Sequence, residues 1–333
     1  MFRYRNICVS TVAVTAALLT HSPVFAQSIL SPFSANYTLT DIGSALTVPA
    51  SYGGMTFLNA STLLIGGNAD RSSAGIYAVQ VTRNGAGHIT GFSGTPSLYA
   101  TAAGISGNNG IDGGLVFGPG GDLFYTSYSD NSIGEIKPGS SSPNKHISLS
   151  SLGIPASTGA LYIVPSGFAG AGEVKIVTYG SGEWFSAALA PDGSGTYNIT
   201  NVTQPYNPNS SFHIVFPSSG EGFVYVHSGN PNFTADTMLI AGSSGIDSYQ
   251  LNASGDPILS TGHYFASISG AEGTAFDPVT GDLLVDTYGN GNQIMRISGF
   301  NAPPHSTPEP GAVGLLMGSA LAGAAVLRKR RRG

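Results

Sequence analysis

Cysteine and basic residues are both scarce in this chain. Its single cysteine, Cys8, lies in the first apolar stretch, so residues 27–307 have no disulfide, no thiol nucleophile and no cysteine-ligated metal. Only six of the 13 basic residues fall within residues 27–307, against 17 acidic residues, which gives that stretch a net charge of −11. A protein with a net negative charge repels phosphate backbones, so nucleic acid is excluded as a partner.

Glycine and short apolar runs dominate the rest of the composition. The chain has 47 glycines, and only 9% of its residues are charged. Glycine-rich chains can be disordered, but here Tyr, Phe, Ile, Val and Leu recur in short runs between the glycines and supply apolar area. We therefore expect residues 27–307 to fold as an all-β, turn-rich body, either one large domain or two smaller ones.

The first 26 residues have the three parts of a secretory signal peptide. Residues 1–5 are basic, residues 7–19 are apolar apart from small polar positions, and residues 24–26 end in a small residue, Ala26. This order predicts export and cleavage after Ala26. An uncleaved membrane anchor is the alternative, although the apolar run is short for a membrane span.

The last 26 residues form a second targeting segment. A Pro-Glu-Pro step precedes residues 311–327, which carry no charge and predict a transmembrane helix followed by a cytoplasmic basic cluster. The sorting motif and the stop-transfer cluster consist of Pro308, Glu309 and Pro310, and of Arg328, Lys329, Arg330, Arg331 and Arg332.

These three parts in this order resemble the PEP-CTERM sorting signal of Gram-negative exopolysaccharide producers. The resemblance covers residues 308–333 and implies recognition by an exosortase, after a signal peptidase has acted at the other end. It also implies an intermediate anchored in the inner membrane by residues 311–327, and then release at the cell surface or outside the cell. A plain C-terminal anchor that is never processed is the alternative.

Two segments of the body are aligned copies of one hairpin. Residues 114–128 and 273–288 each contain a short apolar strand ending in Phe, a proline-containing turn closed by Gly-Asp, and a second strand ending near Tyr. Proline and the Gly-Asp step favour a hairpin corner, and the flanking residues have strand composition. Weaker copies fill the remaining length, so the body is a repeat of small antiparallel sheets.

The spacing of these sheets predicts a β-propeller of five to six four-stranded blades. Sets of four short strands, repeated every ~45–60 residues, are typical of propeller blades. Residues 36–40 would supply the missing fourth strand of the last set and close the ring. A sixth blade would fall in residues 204–217, and a pair of β-sandwiches or a β-solenoid is the alternative fold. The five blade starts are near Gly54, Gly114, Ala160, Gly222 and Gly273.

Three carboxylates stand at equivalent places in this repeat. Asp112, Glu221 and Glu272 each come before a glycine at the start of an innermost strand, so in register they would meet at one mouth of the central channel. Converging carboxylate oxygens suit a hard cation such as Ca²⁺, which would also offset their mutual repulsion. Alternatively, the three acids are solvated residues at strand entries.

The Gly-Asp-Leu hairpins resemble those of NHL-type and SMP-30/gluconolactonase-like propellers. The segment from Glu272 to Pro278 resembles the one that carries a metal-ligating Glu in the lactonases of that group, which implies this role for Glu272. The other ligands of that family have no counterparts here. The sequence also has no Gly-x-Ser-x-Gly elbow, no Walker A loop and no histidine pair at metal spacing.

These observations favour a non-enzymatic role. We expect an exported propeller that binds or builds extracellular matrix, with extracellular polysaccharide as a candidate partner, no catalytic residue and no cofactor other than Ca²⁺. A metal-dependent lactonase or hydrolase that uses Glu272 is the alternative.

Overall fold

The computed structural model describes residues 27–107, 109–155, 157–217, 219–289 and 291–301. These residues form 21 β-strands and four short 3₁₀ helices. The strands are β1 (Ser28–Ile29), β2 (Thr38–Asp41), β3 (Gly53–Asn59), β4 (Thr62–Gly67), β5 (Gly75–Arg83), β6 (Ile89–Thr101), β7 (Ile111–Phe117), β8 (Leu123–Ser127), β9 (Ser132–Ile136), β10 (Lys145–Ser148), β11 (Thr158–Ile163), β12 (Val174–Thr178), β13 (Trp184–Pro191), β14 (Tyr197–Thr203), β15 (Phe223–Val226), β16 (Thr237–Gly242), β17 (Gly245–Gln250), β18 (His263–Ser267), β19 (Ala271–Phe276), β20 (Leu283–Thr287) and β21 (Ile294–Ser298). The 3₁₀ helices are Phe33–Ala35, Pro119–Gly121, Ser150–Leu152 and Leu259–Thr261.

The strands form five antiparallel sheets that are arranged as the blades of a propeller. Blade 1 contains β3–β6, blade 2 β7–β10, blade 3 β11–β14, blade 4 β15–β18 and blade 5 β19–β21. In each blade the chain enters along one strand and continues through hairpins to neighbouring strands. The entry strands β3, β7, β11, β15 and β19 contact one another in a ring. The prediction of an all-β propeller with four-stranded blades is confirmed, with five blades starting near the five expected residues.

The ring is closed by pairing the start of the body with its end. Strand β2 lies beside β21, with Thr38 opposite Ser298 and Asp41 opposite Met295, so blade 5 gains its fourth strand from the N-terminal side. This confirms the closing strand expected at residues 36–40. Residues 204–217 contribute only isolated bridges, such as Tyr206 with His213, and therefore form no sixth blade.

The two hairpins that align in the sequence close with the same type of turn in the structure. In blade 2 the Gly118 N–H donates to the Asp122 carbonyl at 2.8 Å, and in blade 5 the Asp277 N–H donates to the Asp282 carbonyl at 2.8 Å. The glycine before each Asp has a positive φ, 86° at Gly121 and 75° at Gly281, which side chains with a Cβ seldom adopt. The repeated Gly-Asp step therefore specifies the turn.

Two strands were not expected from the sequence. Strand β10 completes blade 2 by pairing with β9, and β1 adds a fifth strand to blade 4 by pairing with β18. Every residue of β10 is partly exposed, so this outer strand lacks the apolar alternation that marks a half-buried one. Strand β1 is only two residues long, and a pattern of period two cannot be read over that length.

Glycines allow the entry strands to approach closely around the axis. A Cβ added to Gly54 would lie 2.6 Å from the Gly114 carbonyl carbon in the next blade. One added to Gly273 would lie 2.8 Å from the Gly53 carbonyl oxygen and 2.7 Å from the Asp286 carboxylate. Side chains are thus excluded from these positions, and the channel is narrow where the strands begin.

Three of the six basic side chains of the body form ion pairs between neighbouring blades. Arg83 in blade 1 holds both carboxylate oxygens of Asp277 in blade 5, at 2.6 and 2.7 Å. Lys145 in blade 2 bonds Asp192 in blade 3 at 2.7 Å. Fully buried Lys175 in blade 3 bonds Asp256 in blade 4 at 2.7 Å. Apolar side chains fill the remaining space between blades, and the cluster between blades 4 and 5 is rich in aromatic rings.

The two targeting segments lie outside the described residues. The expected signal peptide (residues 1–26), the Pro308-Glu309-Pro310 motif, the helix at residues 311–327 and the basic cluster from Arg328 to Arg332 belong to them. In the part of the chain that is described, no helix has the length and apolar character needed to cross a membrane.

Candidate functional site

A small cavity lies where the entry strands of blades 2, 4 and 5 begin. Its volume is about 240 Å³. We call it the acid pocket, and its lining residues are Asp70, Asp112, Tyr128, Tyr179, Glu221, Glu272 and Tyr288. The three carboxylates expected from the sequence, Asp112, Glu221 and Glu272, are therefore brought into one cavity.

The strand positions of the three acids differ slightly from those expected. Asp112 and Glu272 are the second residues of β7 and β19, whereas Glu221 lies two residues before β15. Backbone hydrogen bonds fix the approach of blades 4 and 5, because the Gly222 N–H donates to the Glu272 carbonyl at 2.8 Å. The Glu221 N–H donates to the Ala241 carbonyl at 2.8 Å. Two of the carboxylates are thus held on innermost strands, and Glu221 is held beside one by its backbone hydrogen bond to Ala241.

All three carboxyl groups are buried and incompletely hydrogen bonded. Their exposed fractions are 4% for Asp112, 7% for Glu221 and 4% for Glu272. One oxygen of each, Oδ2 of Asp112, Oε2 of Glu221 and Oε1 of Glu272, is buried without a hydrogen-bond partner among the described residues. No Lys, Arg or His is among the described residues that line the pocket. Buried polar oxygens without a partner cost free energy, so this site is built for something other than stability.

Burial and mutual repulsion govern the ionisation of the cluster. Burial is the main cause that raises the pKa of Asp112, Glu221 and Glu272 well above the usual range. Neighbouring carboxylates add to the increase in each case. The three carboxyl groups therefore hold protons more tightly than exposed carboxyl groups do, and another positive charge in the pocket would compete with those protons.

Asp286 is a fourth buried acid next to the pocket, and the sequence analysis missed it. It lies on β20, is 0% exposed, and accepts the Gly273 N–H at 3.0 Å through Oδ1. Its Oδ2 has no hydrogen-bond partner among the described residues. Burial raises its pKa well above the usual range. The repeat alignment contained the signal, since Asp286 matches Thr126 of the other hairpin.

Three tyrosines form a collar above the acids. Tyr128, Tyr179 and Tyr288 each directly follow the second strand of their blade, after β8, β12 and β20. The rings of Tyr128 and Tyr179 meet edge to face, with centroids 5.6 Å apart. Burial raises the pKa of Tyr179 and of Tyr288, so both phenols stay neutral at physiological pH. The collar offers hydroxyl groups and ring faces to whatever enters.

The acid pocket has the oxygen ligands that a hard cation requires, but these oxygens are not yet arranged around one point. Carboxylate, phenol and backbone oxygens are the groups that Ca²⁺ prefers. However, no group of three or more His, Cys, Asp or Glu side chains in the described ranges is arranged as a metal-ligand set. A cation would therefore require the carboxylates to rotate towards one point.

Comparisons with known proteins add little beyond the general architecture. No protein-family model matches the chain, and no curated protein matches it in sequence. Among solved structures, a protein named as a gluconolactonase has a TM-score of 0.42 at 12% identity, over 84% of this chain and 100% of its own. A glucose dehydrogenase-type oxidoreductase from Thermus thermophilus has a TM-score of 0.43 at 15% identity, over 79% of this chain and 100% of its own.

A third structure is similar to the same degree. The aldose sugar dehydrogenase of Streptomyces coelicolor, bound to PQQ, has a TM-score of 0.38 at 14% identity. This match covers 79% of the present chain and 98% of the dehydrogenase. Because all three scores are below 0.5, the five-blade assignment rests on the pairing of this chain's own strands.

Proposed function

We propose that this chain is an exported β-propeller that binds a divalent cation, with Ca²⁺ as the best chemical match, in the acid pocket. Its role is binding or structural, in the envelope or extracellular matrix. The observation that carries the proposal is the set of three unpartnered carboxyl oxygens, on Asp112, Glu221 and Glu272, in a cavity whose described lining has no basic side chain.

A bound cation would take the place of the protons in the pocket. Carboxylates must be ionised to coordinate a metal, so binding to groups with raised pKa values releases protons. The same cation would offset the repulsion among Asp112, Glu221 and Glu272. Asp286 would support the site as a neighbouring buried carboxyl group, whose Coulombic effect raises the pKa of Glu221 and Glu272.

The export of the protein and its location at the cell surface are part of the proposal, and they rest on the sequence. A signal peptide at residues 1–26 and a sorting tail at residues 308–333 would bring the propeller through the inner membrane to the cell surface. Mass spectrometry of protein recovered from the producing cell tests this. A mature chain that begins at Gln27 and ends near Pro308 supports processing at both ends, whereas an intact C-terminus would contradict exosortase cleavage.

A metal-dependent lactonase is the second candidate, favoured by one observation. Glu272 combines burial, a raised pKa and a free oxygen in an accessible pocket, which are properties of functional carboxyl groups. A bound cation would polarise a lactone carbonyl, with Glu272 among the side chains that hold it. Turnover of a sugar lactone that disappears in a Glu272→Ala variant would favour the enzyme over the binding protein.

Terbium luminescence tests where the cation binds. Tb³⁺ substitutes for Ca²⁺, and its emission is sensitised by excited tyrosines close to it. Because Tyr128, Tyr179 and Tyr288 line the pocket, a bound Tb³⁺ should give strong emission that excess Ca²⁺ removes. The signal should be lost in Glu221→Gln and Glu272→Gln, and should persist in Asp41→Asn, which changes an exposed acid. Emission that is equal in all three variants would place the cation elsewhere.

A further inference from the structure

A second cavity lies at the opposite end of the entry strands from the acid pocket. Glu221 precedes β15 and His227 follows it, and these two residues line different cavities. Likewise, Glu272 lies at the start of β19 and Phe276 at its end. We call this second space, between blades 3, 4 and 5, the aromatic cavity. Its volume is about 430 Å³, within the ~300–1,000 Å³ of small-molecule sites.

Six of its 13 described lining residues carry aromatic rings. The six are Tyr162, Phe168, Tyr225, His227, Phe276 and Phe300. Several are already arranged as parallel faces: Phe168 and His227 stack at 3.8 Å with 4° between their planes. Tyr162 and Tyr225 are within 11° of parallel, with centroids 6.0 Å apart. The Tyr225 hydroxyl donates to the Gly255 carbonyl at 2.9 Å, which fixes the ring.

The cavity has no formal charge to offer a ligand. None of its described lining residues is Asp, Glu, Lys or Arg. The only titratable ring besides the tyrosines is His227, and its Nδ1 lies 3.5 Å from the Asp236 carboxylate, so any charge on it is paired. Transfer of a charged ligand into such a space would cost desolvation energy without an opposite charge in return. An uncharged ligand is therefore favoured.

Two asparagines at the rim are partly engaged within the protein. The Asn301 N–H donates to Asn230 Oδ1 at 2.7 Å, and the Asn301 side chain donates to the Gly229 carbonyl at 3.1 Å. The Asn230 side chain donates to the His227 carbonyl at 2.9 Å. Each of these two side-chain amides therefore has one of its two N–H groups engaged within the protein. Six rings line the cavity against four Ser and Asn side chains, which favours a flat ring system over a carbohydrate.

We propose that the aromatic cavity binds an uncharged, planar aromatic small molecule, whose ring packs against the faces of Tyr162 and Phe168. This site is separate from the acid pocket, and its ligand is independent of the cation. Aromatic pairs gain energy in offset or edge-to-face contact beyond the area they bury, and the fixed rings of this wall are ordered before the ligand arrives.

Calorimetric titration of the purified chain with three probes tests this proposal. 2-Naphthol is flat and uncharged at pH 7, 2-naphthoate has the same ring with a negative charge, and glucose is an uncharged sugar. We expect saturable binding of 2-naphthol at one site, binding of 2-naphthoate weaker by about tenfold or more, and no heat from glucose. Binding of glucose, equal binding of 2-naphthoate, or no saturation by 2-naphthol would each overturn the proposal.

Two variants and two controls locate the site. Phe168→Ala removes one ring of the wall, and Ser166→Trp fills the cavity from an exposed position without removing any packed side chain. Both should weaken 2-naphthol binding by about tenfold or more, and Ser166→Trp should leave the melting temperature unchanged. Phe212→Ala, at a side chain that is 77% exposed, and Glu272→Gln, in the acid pocket, should bind as the unaltered chain does. Unchanged binding in Ser166→Trp would show that the probe lies elsewhere.

Discussion

Thr126 in blade 2 and Asp286 in blade 5 occupy equivalent positions and accept the same backbone hydrogen bond. The Gly114 N–H donates to the Thr126 hydroxyl at 2.9 Å, and the Gly273 N–H donates to Asp286 Oδ1 at 3.0 Å. Thr126 completes its bonding by donating to the Gly159 carbonyl at 2.9 Å. Asp286 instead keeps a second buried oxygen, Oδ2, without a partner among the described residues. The repeat thus contains a purely structural form of this position and an acidic form beside the pocket.

This relationship predicts different effects of two substitutions at Asp286. Asp286→Thr keeps an acceptor for the Gly273 N–H and removes the unpartnered oxygen, so it should raise the free energy of unfolding by about 1–3 kcal/mol in EDTA at pH 7. Asp286→Ala leaves that N–H without an acceptor. Its free energy of unfolding should therefore rise less than that of Asp286→Thr, or fall below that of the unaltered chain. Urea unfolding followed by the fluorescence of Trp184 measures both. Equal effects of Thr and Ala would show that the hydrogen bond to Gly273 contributes nothing.

Glu135 gives the protein a pH dependence that is independent of the acid pocket. Both of its oxygens accept the Tyr197 N–H, at 3.0 and 3.1 Å, and burial raises its pKa to about 7 from the usual 4.5. The protonated side chain is thus favoured by folding, so its contribution is fully present below pH 4.5 and is lost as the pH rises through 7.

Glu135→Gln, which keeps an acceptor and cannot ionise, should remove this loss. The variant should match the unaltered chain at pH 5 and exceed it at pH 8 by on the order of 1 kcal/mol in the free energy of unfolding. Urea unfolding at the two pH values measures the difference. A variant that is equally more or less stable at both values would show that ionisation of Glu135 is not coupled to folding.

Lys175 connects blades 3 and 4 from a fully buried position. Its Nζ bonds Asp256 Oδ1, Glu173 Oε2 and Ser186 Oγ, at 2.7, 2.8 and 2.7 Å, and Asp256 also accepts the Trp184 indole N–H at 2.9 Å. Lys175→Met would leave Asp256 buried with no opposite charge, at a cost of about 3–5 kcal/mol.

The matched control for this variant is Lys137→Met. Lys137 lies in blade 2, and its Nζ makes one 3.4 Å contact with the Ser194 carbonyl, so its loss should change stability by less than about 1 kcal/mol. Because Trp184 is the single tryptophan and touches the Lys175 network, its emission should change only in Lys175→Met. Equal stability of the two variants would contradict a stabilising connection between blades 3 and 4 at Lys175.

The sequence predicted the parts of this fold that repeat, because repetition exposes what is structurally required. The corner glycines Gly121 and Gly281 and the shared strand entries at Asp112 and Glu272 could be aligned without coordinates. Their register then brought the carboxylates to one mouth. Strand β10 could not be found in the same way, since an outer strand that is exposed on both faces has no apolar period.

The remaining members of the acid pocket depend on contacts between blades. Asp70 comes from a turn in blade 1, and the tyrosine collar combines blades 2, 3 and 5. Such residues share no local pattern with Glu221 or Glu272. The tyrosines that follow the second strands were visible in the sequence, but their position beside the acids depends on the packing of blades 2, 3 and 5.

Calcium titration by calorimetry, in two buffers of different ionisation enthalpy at pH 7, tests the central claim most directly. We predict one saturable site, a heat that differs between the buffers because protons leave the pocket, and loss of both in Glu221→Gln and Glu272→Gln but not in Asp41→Asn. No binding, or binding that is unchanged in the two pocket variants, would contradict the assignment of the acid pocket as a cation site.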